Sequence, residues 1–226
     1  MKKTFQENTW VIWIFAMLIG ALLGGSSSLL LPASYRAQAT VVVDFNIEET
    51  WAGLPDNEIF YFLEREARKL EELALADETL LPVVTEPTLT IESLRSGVIE
   101  LSQPKDGGWH FYATAATPRQ AVDLASRWAN SFAEQASTGI EIENKLKAIN
   151  KQLETSPSDQ NLMQEKLDLE KQSKGLLAGT NISISQVDDL PVEKLGQPAY
   201  FIVAGALLGL FLSLLWQATP FGRKRD

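Results

Sequence analysis

Few side chains in this 226-residue sequence have a type and spacing that could do chemistry. His110 is the one histidine and there is no cysteine, so a thiolate nucleophile or a His/Cys metal site cannot form. Ser102 and Lys105 have the Ser-x-x-Lys spacing of some acyl-transferring serine enzymes, but the accompanying Ser-Asp-Asn and Lys-Thr-Gly elements are missing. We interpret this segment as residues that border a turn rather than as a catalytic motif, and His110 as an exposed polar residue.

Acidic residues are concentrated in one predicted helix, where paired carboxylates could act as acid and base. They are Glu64, Glu66, Glu71 and Glu72. Basic residues lie between them, which is typical of an ordinary solvated helix face. The sequence also has no Gly-x-x-x-x-Gly-Lys-Ser/Thr phosphate-binding loop. We therefore predict a protein that is not an enzyme, with no catalytic residue, no cofactor and no metal site.

The charge of the chain limits its partners. Lys and Arg number 20 against 29 Asp and Glu, a net charge of −9. Binding to phosphate backbones requires clustered positive charge, so nucleic acid is not an expected partner. The length and the 45% hydrophobic content suffice for one modest folded domain and membrane segments.

Two apolar segments near the ends are long enough to cross a lipid bilayer. Residues 10–31 and 199–217 contain no charged residue, and we predict a transmembrane helix in each. The first could instead be a cleavable signal peptide, because Lys2 and Lys3 precede it and Ala37-Gln38-Ala39 is a small-x-small site. Its length exceeds that of a typical signal-peptide core, which favours an anchor.

The distribution of charge predicts the topology of these spans. The termini, residues 1–9 and 218–226, are rich in basic residues, and the acidic excess lies in residues 32–198. Because positive residues beside a span remain inside, both termini are predicted to be cytoplasmic and residues 32–198 to form an exported domain in the periplasm or outside the cell. The basic cytoplasmic tail consists of Arg223, Lys224 and Arg225.

Both spans contain the same pentapeptide, Gly-Ala-Leu-Leu-Gly. Its glycines are Gly20 and Gly24 in the first span and Gly205 and Gly209 in the second. Small residues four apart allow helix backbones to approach closely, so we predict that these glycines pack together, within one chain or between neighbouring chains. The alternative is that glycine is simply common in membrane helices.

The central segment predicts an α+β domain with a helical hairpin. Strands are expected at residues 39–45, 98–101, 109–115 and 181–187, with a turn of about five residues at 104–108. Helices are expected at residues 58–81, around 91–95, and at 118–154 and 159–174, the last two forming a hairpin over about 118–176. Thr117-Pro118 is a strong helix start, and Asp56 or Asn57 can cap the first helix.

The order of elements and three local motifs resemble a known family. The motifs are the alternation from Tyr35 to Val43, the helix opening Thr117-Pro118-Arg119-Gln120-Ala121 with Asn130 farther on, and the Gly/Leu-rich final span. They are similar to the polysaccharide co-polymerases, the Wzz-type chain-length determinants. Residues 48–100 match nothing specific, only Pro191 and Pro198 remain of the family's usual proline-rich stretch before the second span, and the hairpin is short.

The resemblance implies a non-enzymatic scaffold that assembles as a ring in the cytoplasmic (inner) membrane and controls the chain length or export of a surface polysaccharide. It implies as partners a homo-oligomer, a membrane polysaccharide polymerase, the growing glycan and the lipid bilayer. The long helix would supply oligomer contacts, for which the candidates are Leu124, Trp128 and Phe132. A cytoplasmic tyrosine kinase is a further candidate partner and is expected to be a separate protein.

Two other functions remain open at this point. The protein could be a two-pass sensor, or a membrane adaptor or activator that holds a kinase through Arg223, Lys224 and Arg225, although a basic tail is more often a topology signal or a contact to anionic lipid. It could also be a membrane-anchored hydrolase, for which the sequence offers no persuasive nucleophile and base.

Overall fold

The computed structural model describes residues 9–30, 34–50, 56–85, 89–105, 108–185, 190–196 and 198–218. The chain divides into two compact units. One comprises Met1–Ser34 and Lys194–Asp226, and the other is Tyr35–Glu193. The fold is α+β with a five-stranded antiparallel sheet, and two of its helices are long and apolar enough to cross a membrane.

The first unit contains these two apolar helices, α1 (Thr9–Leu30) and α8 (Pro198–Ala218). Windows of 18 residues in each, Trp10–Ser27 and Ala199–Trp216, have mean hydropathies of 1.8 and 2.1. Most large side chains on both helices are exposed; Leu22, for example, is 71% exposed. The two helices pack against each other along their lengths, at the positions described below.

The sheet of the second unit is built around its first strand. β1 (Ser34–Asp44) pairs on one side with β3 (Gly108–Ala115), which pairs in turn with β2 (Ile99–Lys105). On its other side β1 pairs with β4 (Asn181–Ile184) and with β5 (Val192–Leu195). The predicted strand after the helical hairpin is present as β4, and the pairing of Val42 with Ser183 brings the chain back beside β1. β5 was not expected from the sequence.

The β2–β3 hairpin differs from its prediction. The strands extend to the pairing of Lys105 with Gly108, so the expected turn at residues 104–108 is wrong and the connection is shorter. The register shifts between Ser102 and Lys105. Pro104 lies in this irregular stretch, which is where a strand tolerates a residue without a backbone N–H.

The helices follow the predicted order with different limits. A short α2 (Ile47–Thr50) precedes α3 (Asp56–Ala74), and α4 (Asp77–Leu80) leads into a 3₁₀ turn at Leu81–Val83. The predicted helix at 58–81 is therefore two helices. α5 (Ile91–Ser93) continues as a wider turn, Leu94–Val98. The long helix α6 (Pro118–Thr155) and α7 (Gln160–Gln172) form the expected hairpin.

Local signals explain where the hairpin helices begin. The Thr117 hydroxyl accepts a hydrogen bond from the Gln120 N–H at 3.3 Å, and Pro118 occupies the first helical position. The Asp159 carboxylate caps α7 by accepting from the Asn161 N–H at 2.9 Å. These caps satisfy backbone donors that have no partner inside the helix.

One face of the sheet and one face of α6 enclose the core. Trp109, Phe111 and Ala113 of β3 point inwards, as their alternation predicts. Phe111 packs edge-on against Trp128 of α6, with ring centroids 4.7 Å apart. α3 closes the core with Leu70, Leu73 and Ala74. The fold therefore depends on α6, which contacts both the sheet and α3.

Candidate functional site

The four predicted glycines lie together between α1 and α8 of the same chain. A methyl group added to Gly20 would come closer than 3.0 Å to the carbonyl oxygen of Gly205, and the reverse is also true. Gly24 has the same relationship to the carbonyl of Phe201, and Gly209 to that of Ala16. Because the obstacles are backbone atoms, no side chain fits at these positions. The two backbones are therefore in direct contact, in an antiparallel arrangement.

The polar face of the sheet contains His110 between two side chains of β1. Gln38 Nε2 lies 2.9 Å from His110 Nδ1, and Thr40 Oγ1 lies 3.0 Å from the same atom. Both side chains are therefore within hydrogen-bond distance of the same ring nitrogen. His110 is half-buried rather than fully exposed.

The strand register brings Ser102 and His110 together, which the sequence did not reveal. Ser102 is the cross-strand partner of His110, and both lie on the polar face. The groups at His110 Nδ1 are an amide and a hydroxyl, whereas a catalytic histidine is usually oriented by a carboxylate. On the same face Arg36 forms an ion pair with Glu100 at 2.7 Å and covers the ring of Tyr112.

Glu66 corrects the interpretation of the acidic helix as an ordinary solvated face. Its side chain is only 3% exposed, while that of Glu64 is 71% exposed. Lys69 Nζ donates to both carboxylate oxygens of Glu66, at 2.8 and 3.0 Å, and also to the carbonyl of Gly175. The signal was present in the sequence, because Glu66 is four residues before the buried Leu70 and shares its face. The pair connects α3 to the segment after α7.

Two of the three candidate oligomer contacts belong to the core of the monomer. Trp128 and Phe132 are 0% exposed, and the Trp128 indole N–H donates to the Ala74 carbonyl at 2.8 Å. The prediction that they contact a neighbouring copy is wrong, because their side chains are already covered by β3 and α3. Leu124 is half-buried and lines a pocket of about 260 Å³ together with Leu89 and Val98.

Two further points of the sequence analysis concern metal binding and the basic tail. Within the described ranges no group of three or more His, Asp or Glu side chains is arranged to hold a metal ion. Arg223, Lys224 and Arg225 lie outside the described residues.

Two exposed carboxylates on the hairpin have perturbed acidities. A hydrogen bond from Lys171 lowers the pKa of Asp168, with further contributions from Gln164 and the charge of Lys171. A hydrogen bond from Lys145 and its charge lower the pKa of Glu141. Both are helix-surface ion pairs, as the distances of 2.9 and 2.8 Å confirm.

The fold and these contacts define an α+β chain of two units. In the sequence, one of two apolar helices that pack through glycines precedes the mixed α+β unit and the other follows it. Neither the comparison with protein-family models nor the comparison with curated proteins gives a match.

Proposed function

We propose that this protein is a non-enzymatic scaffold of the cytoplasmic membrane that assembles with copies of itself and regulates the chain length or export of a surface polysaccharide. The polymer would be a lipopolysaccharide O-antigen, a capsule or an exopolysaccharide. The observation that carries the proposal is a pair of apolar helices, α1 and α8, that pack antiparallel while most of their large side chains stay exposed. In the sequence, α1 precedes the α+β unit and α8 follows it.

The exposure of these helices supports membrane insertion. None of the Trp10–Ser27 window and 6% of the Ala199–Trp216 window is buried. A core helix of a water-soluble protein covers most of its apolar side chains, and a large exposed apolar surface in water favours aggregation. A lipid environment removes this cost.

The position of Ala37-Gln38-Ala39 supports an anchor rather than a cleaved signal peptide. Ala37 and Ala39 lie within β1, are 0% and 1% exposed, and pair with Ala113 and Phe111 of β3. Cleavage after Ala39 would remove five of the seven residue pairs between β1 and β3.

The antiparallel packing supports a topology with both termini on one side. If α1 and α8 both cross the bilayer, residues 1–8 and 219–226 lie on the same side, and their basic residues favour the cytoplasm. The acidic unit Tyr35–Glu193 is then exported, where it can meet a membrane polysaccharide polymerase and the growing glycan.

The polysaccharide assignment rests on the resemblance to the co-polymerases. It is supported by the order of the elements: a strand directly after α1, a β-hairpin before the Pro118 helix, a helical hairpin, and a return strand before α8. His110 is within hydrogen-bond distance of Gln38, and Glu66 accepts a hydrogen bond from Lys69; both contacts support a structural role for these two residues.

The size distribution of the surface polysaccharide on a gel tests the proposal. Cells lacking the protein are compared with the same cells carrying it on a plasmid, and a loss or shift of the modal length that the plasmid restores is expected. An unchanged polymer in a strain known to produce it would contradict the proposal. Kinase recruitment that is lost on charge reversal of Arg223, Lys224 and Arg225 would then favour the adaptor. Turnover by the purified protein that is lost in Ser102→Ala would favour the hydrolase.

A further inference from the structure

Few side chains attach α7 to the rest of its unit. The helix is described along its whole length, and none of its 13 residues is buried. Leu162, Lys166 and Leu169 are half-buried, at a spacing that puts them on one face, and the other side chains are exposed. An isolated helix of this length is only marginally stable in water. α7 therefore depends on its neighbours to stay folded and in place.

The apolar side chains beside α7 are separate from the main core. Leu146 and Ile149 of α6 are buried, and Leu146 lines the same cleft as Glu170 of α7. Neither leucine nor isoleucine belongs to the main hydrophobic cluster, which extends along α6 only as far as Ile140. A region with its own small set of apolar contacts can open while the rest of a domain stays folded. α7 and the end of α6 form a region of this kind.

The segment after α7, residues 173–180, ties this region to the main core, and we call it the strap. Its Leu176 is buried in the main cluster beside Gly139 of α6. A methyl group added at Gly139 would come within 2.8 Å of the leucine side chain, so the missing side chain makes a notch for Leu176. Gly175 and Gly179 have positive φ angles of 63° and 87°, which favour glycine at the bends on either side.

Polar contacts from three helices also hold the strap. Lys174 forms an ion pair with Glu78 of α4. The Gly175 N–H donates to Glu143 of α6 at 3.0 Å. The carbonyl of the same glycine accepts from Lys69 of α3. The end of α7 is thus joined through the strap to α3, α4 and α6 at once.

We propose that α7 is a flap over the end of α6 and that the strap is the latch that holds it closed. When the strap leaves its contacts, α7 turns about the connection at residues 156–159 and uncovers Leu146 and Ile149. The eight released residues can span up to about 28 Å, so α7 moves away while β4 stays paired with β1. This inference goes beyond the proposed function and does not rest on it, because it concerns the opening of a single chain.

Chemical labelling of one introduced cysteine tests the flap, because the natural sequence contains no cysteine. In the full chain in mild detergent, Ile149→Cys should react with a maleimide about tenfold faster or more than Ala125→Cys. Ala125 is the matched control, since it is buried on the same helix but within the main core. Equal rates would mean that Ile149 is uncovered only when the whole domain unfolds, which would overturn the inference.

A change in the strap tests the latch. Lys174→Met should speed the labelling of Ile149→Cys about twofold to fivefold, which is the effect of losing a partly exposed ion pair. Arg127→Met is the matched control and should leave this rate unchanged, because its pair with Asp123 lies outside the region that opens. An unchanged rate in Lys174→Met would show that α7 moves without releasing the strap and would overturn the latch.

Hydrogen exchange of the unmodified chain tests the same opening without a substitution in the core. The amides of α7 should share one protection factor that is lower than that of the β3 amides, because they open together. Leu176→Ala should lower the protection of α7 about thirtyfold or more, the effect of truncating a buried leucine. Equal protection of α7 and β3, or α7 amides that exchange independently of one another, would overturn the inference.

Discussion

Gly20 of α1 lies directly against the carbonyl oxygen of Gly205 of α8, so that a side chain on either residue would collide with the other backbone. Two helices approach this closely only where both present small residues, and the shared Gly-Ala-Leu-Leu-Gly sequence provides them at matching positions. The glycine pairing within one chain also leaves the large apolar side chains on the outer faces of the helix pair exposed.

Gly24→Ala is expected to separate α1 from α8, whereas Gly25→Ala is not. The new methyl group at Gly24 would collide with the backbone of Phe201, but at Gly25 it would meet only the Ile202 side chain, at 3.3 Å. Spin labels on Trp10→Cys and Trp216→Cys, at the same end of the antiparallel pair, report the separation. Gly24→Ala should broaden and lengthen the distance distribution. An unchanged distribution would contradict close glycine packing.

Trp128→Phe should destabilise the folded unit without a specific effect on assembly. The change removes the hydrogen bond to the Ala74 carbonyl and leaves this buried oxygen without that partner, at a cost of about 1–3 kcal/mol. Urea unfolding followed by circular dichroism measures the cost. Leu124→Ala is a control on the same helix, because Leu124 is only half-buried and should cost less. A loss of oligomers at unchanged stability would restore Trp128 as an oligomer contact.

The burial of Trp128 in the core illustrates which features of the fold can be predicted from the sequence and which cannot. The cap at Thr117 is a local signal, so the start of α6 was predicted correctly. The alternation in β3 is also local, and it matches the burial of every second side chain in that strand. The helical spacing of the apolar residues in α6 also identifies an apolar face. It does not indicate whether the same chain or a neighbouring copy covers that face. Only the approach of α3 and β3 settles this for Trp128 and Phe132.

The same limit applies to the sheet and to Glu66. β5 has four residues, three of them exposed, so it has no hydrophobic pattern and forms because β1 offers it a free edge. The burial of Glu66 depends on the partner that Lys69 supplies and on the segment around Gly175, which is 106 residues away from Lys69 in the chain. Long-range pairings of this kind are not encoded in a local pattern.

Lys69→Met is expected to destabilise the protein, and Glu66→Leu/Lys69→Met to recover much of the loss. Among the described residues, the single change leaves Glu66, whose side chain is 3% exposed, with Arg65 at 3.6 Å as its one remaining ion-pair partner. We expect a cost of about 3 kcal/mol, near the lower end for breaking a buried pair, because Lys69 itself is partly exposed. Replacing both charges removes the unpaired group. Equal urea midpoints for Lys69→Met and the wild type would show that the pair contributes nothing.

Asp168 should titrate at a lower pH than an ordinary aspartate, and Lys171→Met should move its pKa upwards. The hydrogen bond from Lys171 stabilises the charged form and lowers the pKa of Asp168 in the folded state. Its contribution to stability is therefore complete above the ordinary aspartate pKa and is lost as the pH falls through the lowered one. Carbon-detected NMR of the side-chain carboxyl measures the shift. Lys145→Met is the control, because Lys145 pairs with Glu141 instead.

The mature protein is expected to retain α1, because cleavage at Ala37-Gln38-Ala39 would destroy the centre of the sheet. Ala37 and Ala39 lie in the strand that pairs with β3 on one side, and the Gln38 N–H donates to the Pro191 carbonyl at 3.1 Å on the other. A peptidase that cut there would remove hydrogen bonds on both sides of β1 and expose Phe111. The intact mass of the protein purified from membranes measures the outcome, with an N-terminal epitope tag as a second readout. Ala39→Leu, which spoils a small-x-small cleavage site, should leave the mass unchanged apart from the substitution itself. A mass that corresponds to a chain beginning at Thr40 would show that α1 is a signal peptide and would leave α8 as the single candidate anchor among the described helices.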